Sequence, residues 1–441
     1  MDPAPPARPN GTDGDAVVLS ASPVPSSDAC VRSLANAGVT TIVASETPTA
    51  KTVCSKYCDE AVLVPDPETA IDEYANALRS LARREDVRTI IPLREEDAYV
   101  LSKHRAAFAD HVATPWPSLE VLEGVHDRLR LRDAADAAGV PVPRTVPVGD
   151  VGTVESRSIV KSRYNLVVDE YVDAETAGAA VRNKTVEHLE PGEAPDRARL
   201  REAFGHEPIV QEFVPIAEEY MVGALYDHGE PVATFQHEQI RGSSYVGGGG
   251  VYRESTFDPE LEDVARRLLE ELDWHGLACI EYMRHPETGE FYLTEINPRM
   301  WTSLSANVQM GADFPRYYWQ LATGREDEID PDYEHGVGCH YLKGELNYLL
   351  SLYRDESPLV DRPGLLRSIG EIAASCYRQP RFDVLSRDDP LPFVQDGLVE
   401  LDELVPADVG VAEWGRRLCG AEPPVDWRES GSPRRPRSEP P

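Results

Sequence analysis

Two glutamates and an asparagine are spaced in this chain so that one β-hairpin would bring them onto a single face. Apolar, strand-like runs at 278–284 and 290–297 flank the turn sequence His285-Pro-Glu-Thr-Gly289. Thr288 is the midpoint between Glu281 and Glu295. A regular antiparallel register therefore sets these two side chains opposite each other, with Cβ atoms about 5 Å apart. Asn297, next but one after Glu295, shares that face because side chains alternate along a strand. Facing carboxylates repel unless a positive charge stands between them. A hard cation that takes oxygen ligands is the natural partner, and Mg²⁺ combines one or two carboxylates with nucleotide phosphates. Arg299 follows Pro298 and is placed to reach an anion beside such an ion.

Other elements must hold this hairpin against something. From Ala16 the sequence alternates apolar strands with helical stretches. Strands are expected at 16–20, 40–44, 61–64 and 89–93, with helices at 26–37, 67–84 and 95–108. That alternation predicts an open parallel sheet. The glycine fingerprint of a dinucleotide site does not follow the first strand. A helix opening at Asp127-Arg128 and stopping at Gly139 comes next. Ser158-Ile-Val-Lys-Ser162 is a strand that carries a lysine near its end. Lysine is scarce in the chain, limited to Lys51, Lys56, Lys103, Lys161, Lys184 and Lys343, so Lys161 in an apolar strand stands out. Pro208-Ile-Val-Gln-Glu-Phe-Val-Pro215 is a strand stopped by proline. Strands at 219–226 and 230–238 pair through Asp227-His-Gly229, and an amphipathic helix spans 259–272. Residues 241–250 hold four consecutive glycines and are expected to form an adaptable loop over a bound substrate. Arg253 and Arg241 are candidates for gripping an acidic substrate, and His237 and Glu238 for lining the same pocket.

The run Glu295-Ile-Asn-Pro-Arg299, with Glu281 across a hairpin from it, resembles the metal-binding core of ATP-grasp enzymes. Carbamoyl-phosphate synthetase and biotin carboxylase are familiar members of that group. The resemblance covers roughly residues 16–325. It implies an N-terminal parallel-sheet α/β lobe followed by a two-lobed α+β ATP-grasp module. It also implies ATP with Mg²⁺ as cofactors, two ions held by Glu281, Glu295 and Asn297, with Mn²⁺ as an alternative. Lys161 matches the strand lysine that contacts the α/β phosphates, Arg128 the basic residue opening the preceding helix, and Arg299 the phosphate-binding arginine. The segment Gln211, Glu212 and Val214 resembles the adenine-contacting hinge. Glu219 matches the ribose acceptor, with Glu218 competing for that role. One departure is clear: the segment after Lys161, Ser162-Arg-Tyr-Asn-Leu166, lacks the glycines of the usual phosphate-covering loop, and Arg163 is the available substitute.

The implied reaction is activation of a carboxylate as an acyl phosphate on Mg·ATP, followed by attack of an amine. Arg299, Lys161 and the metals would stabilise the developing charge, with Arg253 gripping substrate. Carbamoyl-phosphate synthetase-like or biotin carboxylase-like chemistry is one alternative, and a non-catalytic nucleotide-binding regulator is another.

Composition narrows the field further. A formal net charge of -33, spread along the chain, repels phosphate backbones and argues against nucleic-acid binding. Acidic, lysine-poor surfaces suit a salt-rich cytoplasm, where ions screen self-repulsion. No apolar run is long enough for a membrane span, and the first residues lack the pattern of a signal peptide. A cytoplasmic enzyme acting on small carboxylates and amines is expected, with a homodimer as one assembly. The seven cysteines have irregular spacings and no zinc pattern. The expected division is a disordered tail at 1–14, an α/β domain at 15–125 and an ATP-grasp domain at 126–325. The last splits into lobes at about 126–207 and 208–325. A C-terminal extension at 326–419 and a disordered tail at 420–441 complete the chain.

Overall fold

The computed structural model describes residues 14–20, 25–172, 180–183, 185–215, 218–357, 360–404 and 410–430. The expectations for 1–13 and 431–441 lie outside these residues.

The first domain is a parallel sheet built from β1 (Ala16–Ser20), β2 (Thr40–Ser45), β3 (Glu60–Leu63) and β4 (Val87–Ile91). β1 is buried throughout and apolar from Ala16 to Leu19 because both of its faces are covered, the mark of a parallel strand between helix layers. Val17 and Leu19 pack with α1 (Ser26–Asn36), while Ala16 and Val18 pack with α2 (Ile71–Ala82). After β4 the chain enters α3 (Glu95–Lys103) and α4 (Arg105–Ala109). The single helix expected at 95–108 is thus broken at His104, and the helix expected from 67 begins at Ile71. α5 (Leu119–His126) then leads directly into α6 (Arg128–Ala137). Asp127 caps α6 by accepting the Leu129 N–H at 3.0 Å.

The small lobe is a four-stranded antiparallel sheet ordered β5 (Thr145–Pro147), β8 (Ile209–Glu212), β6 (Ser158–Lys161), β7 (Val186–Leu189), with α7 (Arg197–Phe204) beneath it. Val160 and Val210 point to that helix, and Lys161, Ile159 and Gln211 point the other way. The lobe boundary expected at 207/208 is corrected by this sheet. β8 hydrogen-bonds with β5 and β6, so the small lobe runs on through Glu212.

The large lobe is a six-stranded sheet ordered β13 (Phe291–Asn297), β12 (Gly276–Arg284), β9 (Glu218–Asp227), β10 (Glu230–Ser244), β11 (Gly247–Thr256), β14 (Gly338–His340), every pairing antiparallel. α8 (Pro259–Glu271) covers one face. α9 (Leu304–Gln309) and α10 (Phe314–Ala322) pack between the other face and the first domain. Two expectations change here. Residues 241–250 form not a loose loop but the end of the β10–β11 hairpin, its turn pinned to the following helix α11 (Leu342–Arg354) by Tyr245 N–H donating to Ser351 Oγ at 3.0 Å. And residues 420–430 are not all tail. After α12 (Leu365–Arg378), α13 (Leu391–Leu404) and α14 (Val411–Leu418), β15 (Val425–Asp426) returns to pair in parallel with β3. A sheet edge offers open backbone groups that even a two-residue strand can satisfy, and nothing in the local composition announces such a pairing.

Candidate active site

The β12–β13 hairpin sets Glu281 directly opposite Glu295, as its spacing predicts. The register is not regular throughout. A shift between Glu281 and Tyr282 pairs Tyr282 with Leu293, which leaves Thr294 bulged. The bulge lies on the turn side of the two glutamates, so the Glu281–Glu295 and Cys279–Asn297 pairings survive it. The Asn297 amide donates to Glu295 Oε1 at 3.0 Å, fixing the orientation of both side chains.

Glu281 is open to the cleft but lies deep in protein. That surrounding, and next the charge of Glu295, push its carboxyl pKa upward, against the pull of Arg299 and Lys161. Across the cleft, Lys161 stands at the end of β6, half-buried, with no hydrogen bond or ion pair among the described residues. Loss of solvent and then the neighbouring Arg128 guanidinium push its pKa down to about 7, while Glu295 and Glu281 pull the other way. Arg128 opens α6 and ties the two lobes together. It donates to the Ser162 carbonyl at 3.2 Å and to Glu295 Oε2 at 3.3 Å.

Arg299 sits at the mouth of the first domain. Its Nε donates to Glu95 Oε1 at 2.6 Å, and Glu95 Oε2 lies 3.2 Å from His126 Nε2. Burial alone would raise the Glu95 pKa, but Arg299 and His126 hold it at about 2. Glu95 and His126 escaped the sequence reading. Glu95 begins the helix after β4, beyond the carboxyl end of a parallel strand, where ligands gather in open α/β sheets. That position is the signal that would have found it.

The remaining candidates divide. Glu219 is half-buried on β9, its pKa raised by burial, and accepts a hydrogen bond from Gln239 on β10. Its charge bears on Glu281, which places it at the same cleft. Gln211 lies on the Lys161 face of the small sheet, but its amide is spent on Thr145 Oγ1 at 2.9 Å. Glu212 points to the opposite face and is exposed. Val214 is buried on the link between the lobes and makes no backbone hydrogen bond among the described residues. Arg163 does not reach into the cleft: it forms a two-armed ion pair with Asp127, at 2.9 and 2.6 Å.

Arg253 is the clear correction. It is 3% exposed and its guanidinium pairs with the buried Asp383 at 2.7 Å, so it is not available to grip a substrate. Arg241 is likewise committed, with both oxygens of Glu345 at 2.8 Å. Charged side chains in so acidic a chain find partners from the C-terminal region, and the sequence around each arginine does not show them. His237 is buried, and loss of solvent followed by Arg253 pushes its pKa down to about 3.

The donor set suits Mg²⁺ and a polyphosphate. Two facing carboxylates with an amide beside them are the oxygen ligands such an ion takes, and Lys161 and Arg128 bring positive charge to the same cleft.

Comparisons with known proteins agree with this geometry. A family profile described as the ATP-grasp domain matches residues 125–303. The fold resembles N5-carboxyaminoimidazole synthetase from Staphylococcus aureus, solved with ADP. That likeness has a TM-score of 0.54 at 13% identity, covering 75% of this chain and 83% of that one. An ADP complex of N5-carboxyaminoimidazole ribonucleotide synthetase gives 0.54 at 14% identity, covering 82% and 96%. The biotin carboxylase domain dimer of Hydrogenobacter thermophilus 2-oxoglutarate carboxylase, solved with MgADP and bicarbonate, gives 0.52 at 15% identity, covering 73% of each chain. Among curated proteins, acetyl-CoA carboxylase 2 of Oryza sativa subsp. japonica is 49% identical over 41 residues, which is 9% of this chain and 2% of that protein. The likeness to the ATP-grasp domain is thus carried by residues 125–303, which hold both the hairpin glutamates and Lys161. Among the described residues no helix is long and apolar enough to cross a membrane.

Proposed function

We propose that this protein is an ATP-dependent carbon–nitrogen ligase that activates a carboxylate as an acyl phosphate for attack by an amine. The observation that carries the reading is the Glu281–Glu295 pair with Asn297 beside it, facing Lys161 across the cleft. Glu281, Glu295 and Asn297 would hold one or two Mg²⁺ ions, which supply Lewis-acid charge at the transferring phosphoryl group. Lys161 and Arg128 would meet the phosphates from the small lobe. The backbone at Val214 would meet adenine, and Glu219 a ribose hydroxyl.

Arg299 is the group best placed to orient the substrate anion. Its Nε is fixed by Glu95, which aims the guanidinium and keeps it charged. Preorganised charge of this kind, aimed at where negative charge develops, is the main protein contribution to phosphoryl transfer. With Arg253 and Arg241 both engaged elsewhere, recognition of the acid falls to Arg299 and the cleft wall. Assembly as a homodimer and a cytoplasmic site of action belong to the same proposal, as does the division into an α/β domain, an ATP-grasp domain and a C-terminal extension.

Calorimetric titration of Mg·ATP into the folded protein at high salt, beside Glu295→Ala, tests the site. Metal-dependent binding lost in the variant supports it, and absence of nucleotide binding by the wild type removes the assignment. ADP release is then screened against carboxylates, bicarbonate included, with and without amines. ADP release that needs bicarbonate and no other acid would replace the carboxylate–amine reading with a carboxylating one. Nucleotide binding without turnover would leave a regulator.

A further inference from the structure

A second cluster of metal-ligating side chains lies at the far end of the large sheet. β9 ends at Asp227, and the turn residues His228 and Gly229 lead into β10. The connection from α8 to β12 passes Asp273, Trp274 and His275 beside that turn, and the Gly229 N–H donates to the Trp274 carbonyl at 2.8 Å. Gly276 pairs with Tyr226, so continuing the register sets His275 opposite Asp227 on one face. One donor atom from each of Asp227, His228 and His275 falls within 4.8 Å of the others. Asp227 is six residues along β9 from Met221, the partner of Glu281, which puts the cluster about 20 Å from the facing glutamates at 3.3 Å per residue.

Three features make this arrangement more than adjacent polar groups. His275 Nδ1 stands 3.1 Å from Asp227 Oδ1, yet it is buried and makes no hydrogen bond among the described residues. The ring also makes a hydrogen bond with the Thr114 backbone. A ring whose proton faces a backbone carbonyl presents its other nitrogen as a bare lone pair, the usual preparation of a metal-binding histidine. Here that nitrogen faces the Asp227 carboxylate, so a ring nitrogen and a carboxylate oxygen converge within reach of one ion. The His228 and His275 rings also stack, with centroids 4.1 Å apart and planes 12° apart. The backbone beneath is set: His228 has φ 48° and Asp273 φ 45°. Gly276 has φ 97°, and a Cβ there would come within 2.3 Å of the Pro115 carbonyl, so His275 is held against the 114–116 segment. His228, in contrast, is exposed and free to turn its ring about χ1 and χ2 toward a shared ion.

We propose that Asp227, His228 and His275 form a binding site for a borderline divalent transition-metal ion, Zn²⁺ being the best match. Two imidazoles and one carboxylate suit Zn²⁺ rather than Mg²⁺ and leave a fourth position for water. The ion would join the β9–β10 turn to the α8–β12 connection. Its role is structural, separate from the nucleotide cleft.

The test is titration of ZnCl₂ and, for its visible spectrum, CoCl₂ into the chelator-treated full chain, without nucleotide. The expected result is one equivalent bound, a nitrogen-ligated Co²⁺ spectrum and a raised melting temperature. His275→Ala and the exposed His228→Ala should each weaken binding at least about tenfold, since even outer-shell partners act on that scale. Glu295→Ala should retain the site. No binding of either ion overturns the proposal, and so does binding that survives His228→Ala, which would point to the cysteines or to the cleft. Because the readout needs no ATP, failure here leaves the ligase reading standing, and failure of that reading leaves this one.

Discussion

Arg253 is read from sequence as a substrate grip and from structure as one half of a buried ion pair, and the two readings predict opposite outcomes for Arg253→Met. The Arg253 and Asp383 side chains are 3% and 0% exposed, with Nη1 to Oδ2 at 2.7 Å. Asp383 also accepts from the Cys339 thiol at 3.3 Å, and its backbone carbonyl accepts from Ser305 Oγ at 2.6 Å. The pair therefore stitches β11 and β14 to the segment before α13. Removing the guanidinium leaves a carboxylate buried without its counter-ion, a loss of about 3–5 kcal/mol. Urea denaturation of wild type, Arg253→Met, Asp383→Asn and the double variant measures this. Each single variant should fall by that amount and the double variant by much less than the sum, because neither charge is then left alone. The effect should persist at high salt, since buried pairs are poorly screened. ADP release per folded molecule should be unchanged. A variant within about 0.5 kcal/mol of wild type in stability, the range of ordinary surface changes, but with release abolished, would refute the reasoning and return Arg253 to the site.

The other predictions concern the cleft. Glu281→Gln removes one of two facing carboxylates, so above pH 8, where both are charged, the ligand-free protein should gain about 0.2–1 kcal/mol while Mg²⁺-dependent nucleotide binding is lost; thermal melts and calorimetry read the two effects, and a less stable variant at that pH would contradict the facing-charge account. Lys161 has a folded pKa of about 7, below the ordinary lysine value of 10.5, so the unfolded chain binds the extra proton between those values and stability from this group rises with pH across that window. Phosphate binding should restore the charge, so nucleotide added near pH 8 should take up a proton that Lys161→Met does not, measured by calorimetry in buffers of different ionisation enthalpy. Glu95 has a folded pKa of about 2, below the ordinary glutamate value of 4.5, so its contribution is complete above the unfolded value and disappears as pH falls toward 2. Urea midpoints between pH 6 and pH 3 should therefore fall more steeply for wild type than for Glu95→Gln.

The sequence by itself determined the local pairings. The hairpin register that sets Glu281 against Glu295 depends on a short turn and on alternation along two strands, both written within seventeen residues, 281–297. The parallel strands of the first domain were legible because burial on both faces demands continuous apolar runs. The cap at Asp127, with Arg128 opening α6, follows from the same local chemistry. The tertiary structure alone decided which charges remained free. Arg253 meets Asp383, 130 positions away, Arg241 meets Glu345, 104 away, and Arg299 meets Glu95, 204 away. Spacing carries no information over such separations, since each partner is chosen by the packing of whole elements. The same holds for β15 on the edge of β3, for the fixed β10–β11 hairpin, and for Asp227 beside His275. Backbone pairing rewards residues that are near in sequence, whereas a buried charge must be matched by whatever the completed fold brings within reach.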